Sequence, residues 1–317
     1  MPAKPKIEPL FIVGLPRSGS TLWSRIVDED EGIFCFREMH FLSPWRKDFR
    51  YFQRHYAGDI VNDDNLMKLV DSLMEREKTS CLKGNFWIQL AKVEPERLAG
   101  NIYDRLLPTD RSLGQVFTAL LEEACAIRGY QRYMVKFPVY VSQLAQLRAW
   151  YPEAPIVHIT RDPRAIAASK TNDPGGTGGL ITRWPWMRYP LRIASEAFVI
   201  MQYNLAARIH EKYKNSAHYR LFSYEDLMAD PQAVIAQLCD FAGLQWNDNM
   251  LQPKLGQPSS ITGVRRGGID AKGVAKWKEV LSSTEIKVIT RMTQGGRTRY
   301  NFDPDSHVVY QASGSSG

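Results

Sequence analysis

Apolar and polar positions along the chain follow two periods. Short apolar runs at Leu10–Val13, Tyr133–Val135, Ile156–Thr160 and Arg220–Phe222 predict β-strands. Between them the spacing lengthens to that of helices. In "YVSQLAQLRAWYP", Val141, Leu144, Leu147 and Trp150 recur every third residue, which predicts an amphipathic helix stopped by Pro152. In "RDPRAIAASK", Pro163 has the fixed φ that suits a first helical turn, and Asp162 can cap it. "SSTEIKVITRM" opens with a capping-box spacing, Ser282 to Glu285. Strands alternating with helices predict an α/β fold of P-loop type, with a central, mainly parallel sheet flanked by crossover helices. Residues 40–130 are helix-rich, charged and aromatic, and read as an insertion or cap over that sheet. No internal repeat interrupts the pattern. Residues 1–311 are expected to form one α/β domain, and the small polar stretch "ASGSSG", 312–317, reads as a disordered tail or an added remnant.

Composition narrows the partners. The chain has 317 residues, 44% of them hydrophobic, enough for a large core. Its net charge of +7 suits anionic ligands such as nucleotides, sulfate esters or acidic polymers. No RNA-binding signature and no Cys–His zinc spacing appears, which argues against nucleic acid. Cys35, Cys81, Cys125 and Cys239 lie far apart and read as thiols of a reducing compartment. The N-terminal apolar run is short, lacks a cleavage pattern and ends at Arg17, and no stretch has the length of a membrane span, so the expected location is cytoplasmic. "TNDPGGTGGLITRWPWMRYP", Thr171 to Pro190, reads as a long loop. Its glycines and aromatics suit either a substrate lid or a loop packed by its own rings.

The candidate chemistry begins at "FIVGLPRSGSTLWSRIV". An apolar run enters a turn whose Gly14 and Gly19 stand as in G-x-x-x-x-G-K-[ST], then a helix. Such a turn brings backbone N–H groups and a helix N-terminus to an anion. A nucleotide kinase would carry lysine where this chain has Ser20; here Arg17 inside the turn supplies the cation. The strand "PIVHIT" is followed by Arg161, where a carboxylate would be needed to hold Mg²⁺. Cations without such a carboxylate suit metal-free transfer of a group less charged than phosphoryl, and sulfuryl is such a group.

"GLPRSGSTL" resembles the 5′-phosphosulfate loop of the sulfotransferases that use 3′-phosphoadenosine 5′-phosphosulfate (PAPS). "ITRDPRAIAASK" resembles their 3′-phosphate segment, and "FSYEDLMADPQAVIAQLCDFAGLQW" their Tyr-Glu-Asp-Leu segment and following helix. The three matches fall in the family's order. The resemblance implies that Pro16, Arg17, Ser18, Gly19, Ser20 and Thr21 hold the phosphosulfate, and that Arg161 and Ser169 hold the 3′-phosphate. Tyr224 would contact the adenine, and Arg265 and Arg266 would lie over the cofactor. Arg164 would either add to the 3′-phosphate site or lie on its helix surface, and Trp23, one place beyond the family's adenine-stacking tryptophan, would belong to the core. Lys136 in "MVKFP" would stabilise charge on the sulfuryl and leaving oxygens. Glu38, 21 residues after Arg17, stands where the glutamate-base branch of tyrosylprotein and bacterial carbohydrate sulfotransferases carries its general base, with His40 as the second candidate. The implied reaction is in-line transfer to a hydroxyl of a sugar, lipid or small molecule, leaving 3′,5′-phosphoadenosine (PAP), with no metal ion. Two readings stay open beside it: a divergent nucleotide kinase, and a non-catalytic anion- or glycan-binding module on the same fold.

Overall fold

A computed structural model describes residues 7–36, 41–42, 48–75, 94–253, 269 and 274–302. Its strands are β1 (Glu8–Gly14), β2 (Phe34–Phe36), β3 (Arg132–Lys136), β4 (Ile156–Thr160) and β5 (Tyr219–Ser223). They form a five-stranded sheet in the order β2-β3-β1-β4-β5. The first helices are α1 (Ser20–Val27), α2 (Phe49–Tyr56), α3 (Asp63–Met74), α4 (Pro95–Leu106), α5 (Leu113–Ile127) and α6 (Leu144–Trp150). There follow α7 (Pro163–Thr171), α8 (Thr177–Arg183), α9 (Arg188–Tyr213), α10 (Tyr224–Ala229) and α11 (Pro231–Ala242). The last are α12 (Trp277–Val280), α13 (Ser283–Met292) and α14 (Gln294–Arg299). This is the α/β architecture that the alternating pattern predicts. All four predicted strands are present, each within about two residues of its predicted ends.

By internal contacts the chain divides into two compact units, Met1–Ile12 with Asp30–Pro155, and Val13–Glu29 with Ile156–Gly317. In the first, β1 and β2 both pair parallel with β3, and Ile12 stands opposite Lys136. Aromatic side chains dominate its core. Phe41 stacks on Phe49 at 4.2 Å, Phe117 packs on Phe41 at 4.6 Å and on Trp150 at 5.5 Å. Gly114 lies against Trp150, where a Cβ would come within 2.6 Å of the indole. Arg105 of α4 reaches both Glu122 and Glu123 of α5, which fixes that helix pair. Residues 49–127 are helical wherever they are described as regular, in keeping with their helix-rich composition.

In the second unit β4 pairs parallel with β5, with Ile159 opposite Phe222. Every residue of β4 is buried, as expected for a strand covered on both faces. Trp23 of α1 is fully buried and packs on Phe222 at 5.2 Å, so it belongs to the core as expected. The helix predicted at Pro163 starts there, and Asp162 accepts the Arg164 N–H as its cap. The capping box at Ser282 and Glu285 forms in both directions.

The stretch 171–190 departs from expectation. It is helical rather than a long loop: α8 covers Thr177–Arg183, a 3₁₀ turn covers Pro185–Met187, and α9 begins at Arg188. The glycines serve packing. A Cβ on Gly179 would lie 2.1 Å from the Pro174 carbonyl oxygen, and one on Gly178 would lie 2.9 Å from three backbone atoms of the preceding turn.

One buried polar cluster in this unit is titratable. The Tyr219 hydroxyl lies 2.5 Å from His158 Nδ1 and 3.1 Å from His210 Nδ1. Burial pushes His158 down to about 3, and burial likewise pushes His210 down to about 4. Below pH 6.5 an unfolded ring accepts a proton that the folded one refuses, so this cluster costs stability as pH falls toward those values. The raised carboxyls of Glu225 and Glu196, both pushed up to about 7 by burial, act in the opposite direction and lose their contribution as pH rises through 7. Comparing His210→Asn with the parent cancels the carboxyl contribution. Urea unfolding should show the variant losing about 2 kcal/mol less than the parent between pH 7.5 and 5. Parallel stability curves would show that His210 does not titrate on unfolding.

Candidate active site

The turn between β1 and α1 is built by close approach. A Cβ on Gly14 would lie 2.5 Å from the Ile159 carbonyl oxygen, so only glycine lets the turn pass under β4. Gly19 has φ 91°, and a Cβ there would lie 2.5 Å from Tyr224 Cδ2. Glycine is required at this position twice over, for the left-handed backbone and for the ring. Arg17 adopts φ 77° without being a glycine, a conformation costing on the order of 1 kcal/mol. The Ser18 N–H donates to the Leu15 carbonyl at 3.1 Å, closing the turn. The Ser18 hydroxyl is buried without a hydrogen-bond partner among the described residues. Gly19 caps α1 with no side chain, so it supplies no side-chain acceptor to the first-turn N–H groups of that helix. Ser20 is buried and Thr21 exposed at the start of α1, while Pro16 is half-buried in the turn.

Three elements of the same unit converge on this turn. Arg17 Nε donates to Ser169 Oγ at 2.9 Å, bringing α7 to the loop. The Arg161 guanidinium donates to the Arg17 carbonyl at 3.2 Å and lies 4.2 Å from the centre of the Tyr224 ring. Tyr224 therefore carries Gly19 and Arg161 against its ring, a geometry that makes it a support for the arginine. Arg17, Ser18, Gly19, Arg161, Ser169 and Tyr224, which sequence motifs single out separately, thus stand together. Lys136 is buried at the carboxyl end of β3 in the other unit. Glu38, His40, Arg265 and Arg266 lie outside the described residues.

Arg164 is not presented as a phosphate ligand. It is buried, ion-paired to Asp162 at 2.7 Å and stacked 4.0 Å from the Trp277 ring. It locks the start of α7 instead.

Glu225 is a residue whose part the motif reading leaves unassigned. Its carboxylate accepts the Asp162 N–H at 3.0 Å and the Ser223 hydroxyl at 3.2 Å. Burial pushes its carboxyl up to about 7. It ties the end of β4 to the start of α10 and so positions Arg161, the residue before Asp162. The signal was present in "SYEDL", where an acidic residue follows a strand and a helix cap.

A model described as Sulfotransferase family matches residues 9–248. The chain belongs to that family. Its fold is similar to the sulfotransferase domain of the olefin synthase of Synechococcus PCC 7002, with a TM-score of 0.58 at 21% identity, covering 95% of this chain and 98% of that one. It is also similar to the sulfotransferase domain from the curacin biosynthetic pathway, with a TM-score of 0.54 at 20% identity, covering 92% and 98% of the two chains. Among curated proteins it is 25% identical over 305 residues to the nodulation protein NoeE of Sinorhizobium fredii (strain NBRC 101917 / NGR234), over 88% of this chain. The chain spans 62% of the length of NoeE and 31% of that of a second curated relative. Among the described residues no helix is long and apolar enough to cross a membrane.

The Gly19–Tyr224 contact yields a stability prediction. Gly19→Ala places a methyl group against the ring at a φ that alanine disfavours, and should cost on the order of 2 kcal/mol. For a chain of this size the melting temperature should fall by several degrees in calorimetry. An unchanged melting temperature would mean that the loop does not hold this contact in solution.

Proposed function

We propose that this sulfotransferase moves a sulfuryl group from PAPS to a hydroxyl of a small-molecule or carbohydrate acceptor, without a metal ion. The loop carries the reading: a buried Ser18 hydroxyl without a hydrogen-bond partner among the described residues stands in a glycine turn beside a strained Arg17 and a helix N-terminus that Gly19 caps with no side chain. A fully buried hydroxyl without a partner costs about 1–3 kcal/mol, and an anion accepting from it removes that cost. These residues fit the phosphosulfate of PAPS. PAPS, when bound, supplies the sulfuryl group and leaves as PAP.

The roles of the chain's own residues follow. Loop N–H groups, Ser18, Ser20, Thr21 and Arg17 hold the 5′ anion, with Pro16 shaping the turn. Arg161 and Ser169 hold the 3′-phosphate, and Tyr224 and Glu225 keep Arg161 in place. Lys136, at a strand end, meets negative charge on the reacting oxygens. Glu38 takes the acceptor proton; it follows Phe36, the last residue of β2, by two positions in the sequence. His40 is the second candidate for that proton, and Arg265 and Arg266 are assigned to the cofactor on resemblance alone. Ser20 in the place of a loop lysine, and an arginine after β4 in the place of a carboxylate, support the metal-free reading over a kinase. The location this reading implies is cytoplasmic.

The 3′-phosphate separates PAP from AMP, which lacks it, and from ATP, whose extra phosphates are at the 5′ end. A ligand at about 100 times its Kd stabilises the fold by roughly 2.7 kcal/mol. PAP should therefore raise the melting temperature by several degrees, with AMP and ATP doing much less at equal concentration. Arg161→Ala should erase most of the difference between PAP and AMP. Stabilisation by ATP equal to that by PAP would favour the kinase reading, and an intact difference in Arg161→Ala would remove Arg161 from the site.

The base has its own test. With an acceptor in hand from a screen read by mass spectrometry, Glu38→Gln should lower kcat by on the order of 10²–10⁴-fold. The PAP-induced thermal shift should stay at the parent value. Near-normal turnover would transfer the assignment to His40.

A further inference from the structure

Helix α9 turns its polarity inside out. From Tyr189 to Leu205 every exposed position of this helix is apolar. Tyr189, Ile193, Ala197, Met201 and Leu205 follow one another four residues apart and form a single ridge. At the helical rise that ridge is about 24 Å long. Toward the interior the helix presents polar side chains instead. Ser195 and Glu196 are buried, and the Thr177 hydroxyl donates to the Ser195 hydroxyl at 3.1 Å. Ile193 is 65% exposed, Met201 50% and Leu205 47%, so the apolar ridge faces water along its whole length.

Helix α13 lies alongside and extends the apolar surface. Asn204 donates to the Met292 carbonyl at 2.9 Å, Arg192 pairs with Glu285 at 2.7 Å, and Val288 and Met292 are exposed. Contiguous apolar surface of this kind marks an interface. The charges around it narrow what covers it. Arg183, Arg188, Arg208, Lys287 and Arg291 are exposed. Among the described residues, the one exposed acid of α8, α9 and α13 is Glu211, which is ion-paired with Lys214 at 2.8 Å. An apolar ridge with cations about it and no free acid complements an anionic bilayer. Trp186 and Tyr189, each 78% exposed, have the apolar body and polar edge that suit the headgroup level. A second copy of this chain would set the same cations against each other, a repulsion that a bilayer of anionic lipid does not present.

We propose that the outer face of α9 lies on an anionic membrane surface, with Trp186, Tyr189, Ile193, Met201 and Leu205 at the headgroup boundary and Arg183, Arg188 and Arg208 on lipid phosphates. The helix lies in the plane of that surface and does not span it. No residue of the loop takes part, so the proposal stands independently of the sulfuryl-transfer reading.

The test is co-sedimentation of the full chain with vesicles of phosphatidylcholine, prepared with and without phosphatidylglycerol, at low ionic strength. The chain should bind the anionic vesicles at least about tenfold more tightly than the neutral ones, and added salt should weaken that binding. Arg183→Gln and Arg188→Gln should each weaken binding to the anionic vesicles by about fivefold. Ile193→Ser, Met201→Ser and Leu205→Ser combined should weaken it by more than about tenfold. The melting temperature of that triple variant should stay near the parent value, because the three side chains face water in the free protein. No binding to the anionic vesicles, equal binding to both kinds, or a triple variant that folds and binds like the parent would each overturn the proposal. A parent that is dimeric in sedimentation equilibrium, with a monomeric triple variant, would overturn it in favour of a second copy on this face.

Discussion

The Tyr224 ring lies where a side chain at residue 19 would have to be. This one exclusion organises the candidate site. With no Cβ in the way, the ring closes on the loop, and its π-system carries the Arg161 guanidinium, which in turn holds the Arg17 carbonyl. Three segments far apart in sequence are thereby fixed against each other, by a cation on a ring and by hydrogen bonds to the backbone. A larger residue at 19 would disturb all of them at once, because the contacts share the ring.

The same small region holds the features that a stable fold usually avoids. Arg17 sits at a positive φ, and the Ser18 hydroxyl is buried without a partner among the described residues. Each costs on the order of 1 kcal/mol or more. The surrounding structure offsets that cost. Trp23 and Phe222 pack beneath α1, and α7 is buried along most of its length, using alanines at 165, 167 and 168 to approach closely. At the loop two local rules are broken side by side where an anion would repair them, a pattern expected of a binding site.

Much of this was legible in the sequence, for identifiable reasons. The buried strands read as apolar runs, and the helix starts at Pro163 and Ser282 are set by local capping chemistry that needs no tertiary contact. Strand β2 escaped because three residues, Phe34–Phe36, are too few to show a period. The 171–190 stretch was misread because glycine has two uses. Gly178 and Gly179 admit neighbouring backbone into a helix, where the composition suggests loop. In the site, the motif could name Arg161 and Ser169 but not what holds them. Arg164 has the same chemistry as Arg161 three residues earlier, and only the structure separates them: one is buried in an ion pair with Asp162, the other lies at the loop.

That separation depends on how each cation is held. Asp162 neutralises Arg164 through both carboxylate oxygens, which spends its charge on the fold. Arg17 donates to the Ser169 hydroxyl, which carries no full negative charge, and Arg161 reaches the Arg17 carbonyl and the Tyr224 ring. The carboxyl that steadies this region, Glu225, is pushed up to about 7 by burial, so near neutrality it is only partly ionised. It accepts the Asp162 N–H and orients the strand end while cancelling less of the nearby positive charge than a fully ionised glutamate would. Glu225 thus fixes the strand end that carries Arg161 through a backbone hydrogen bond, which needs no full charge on the carboxyl.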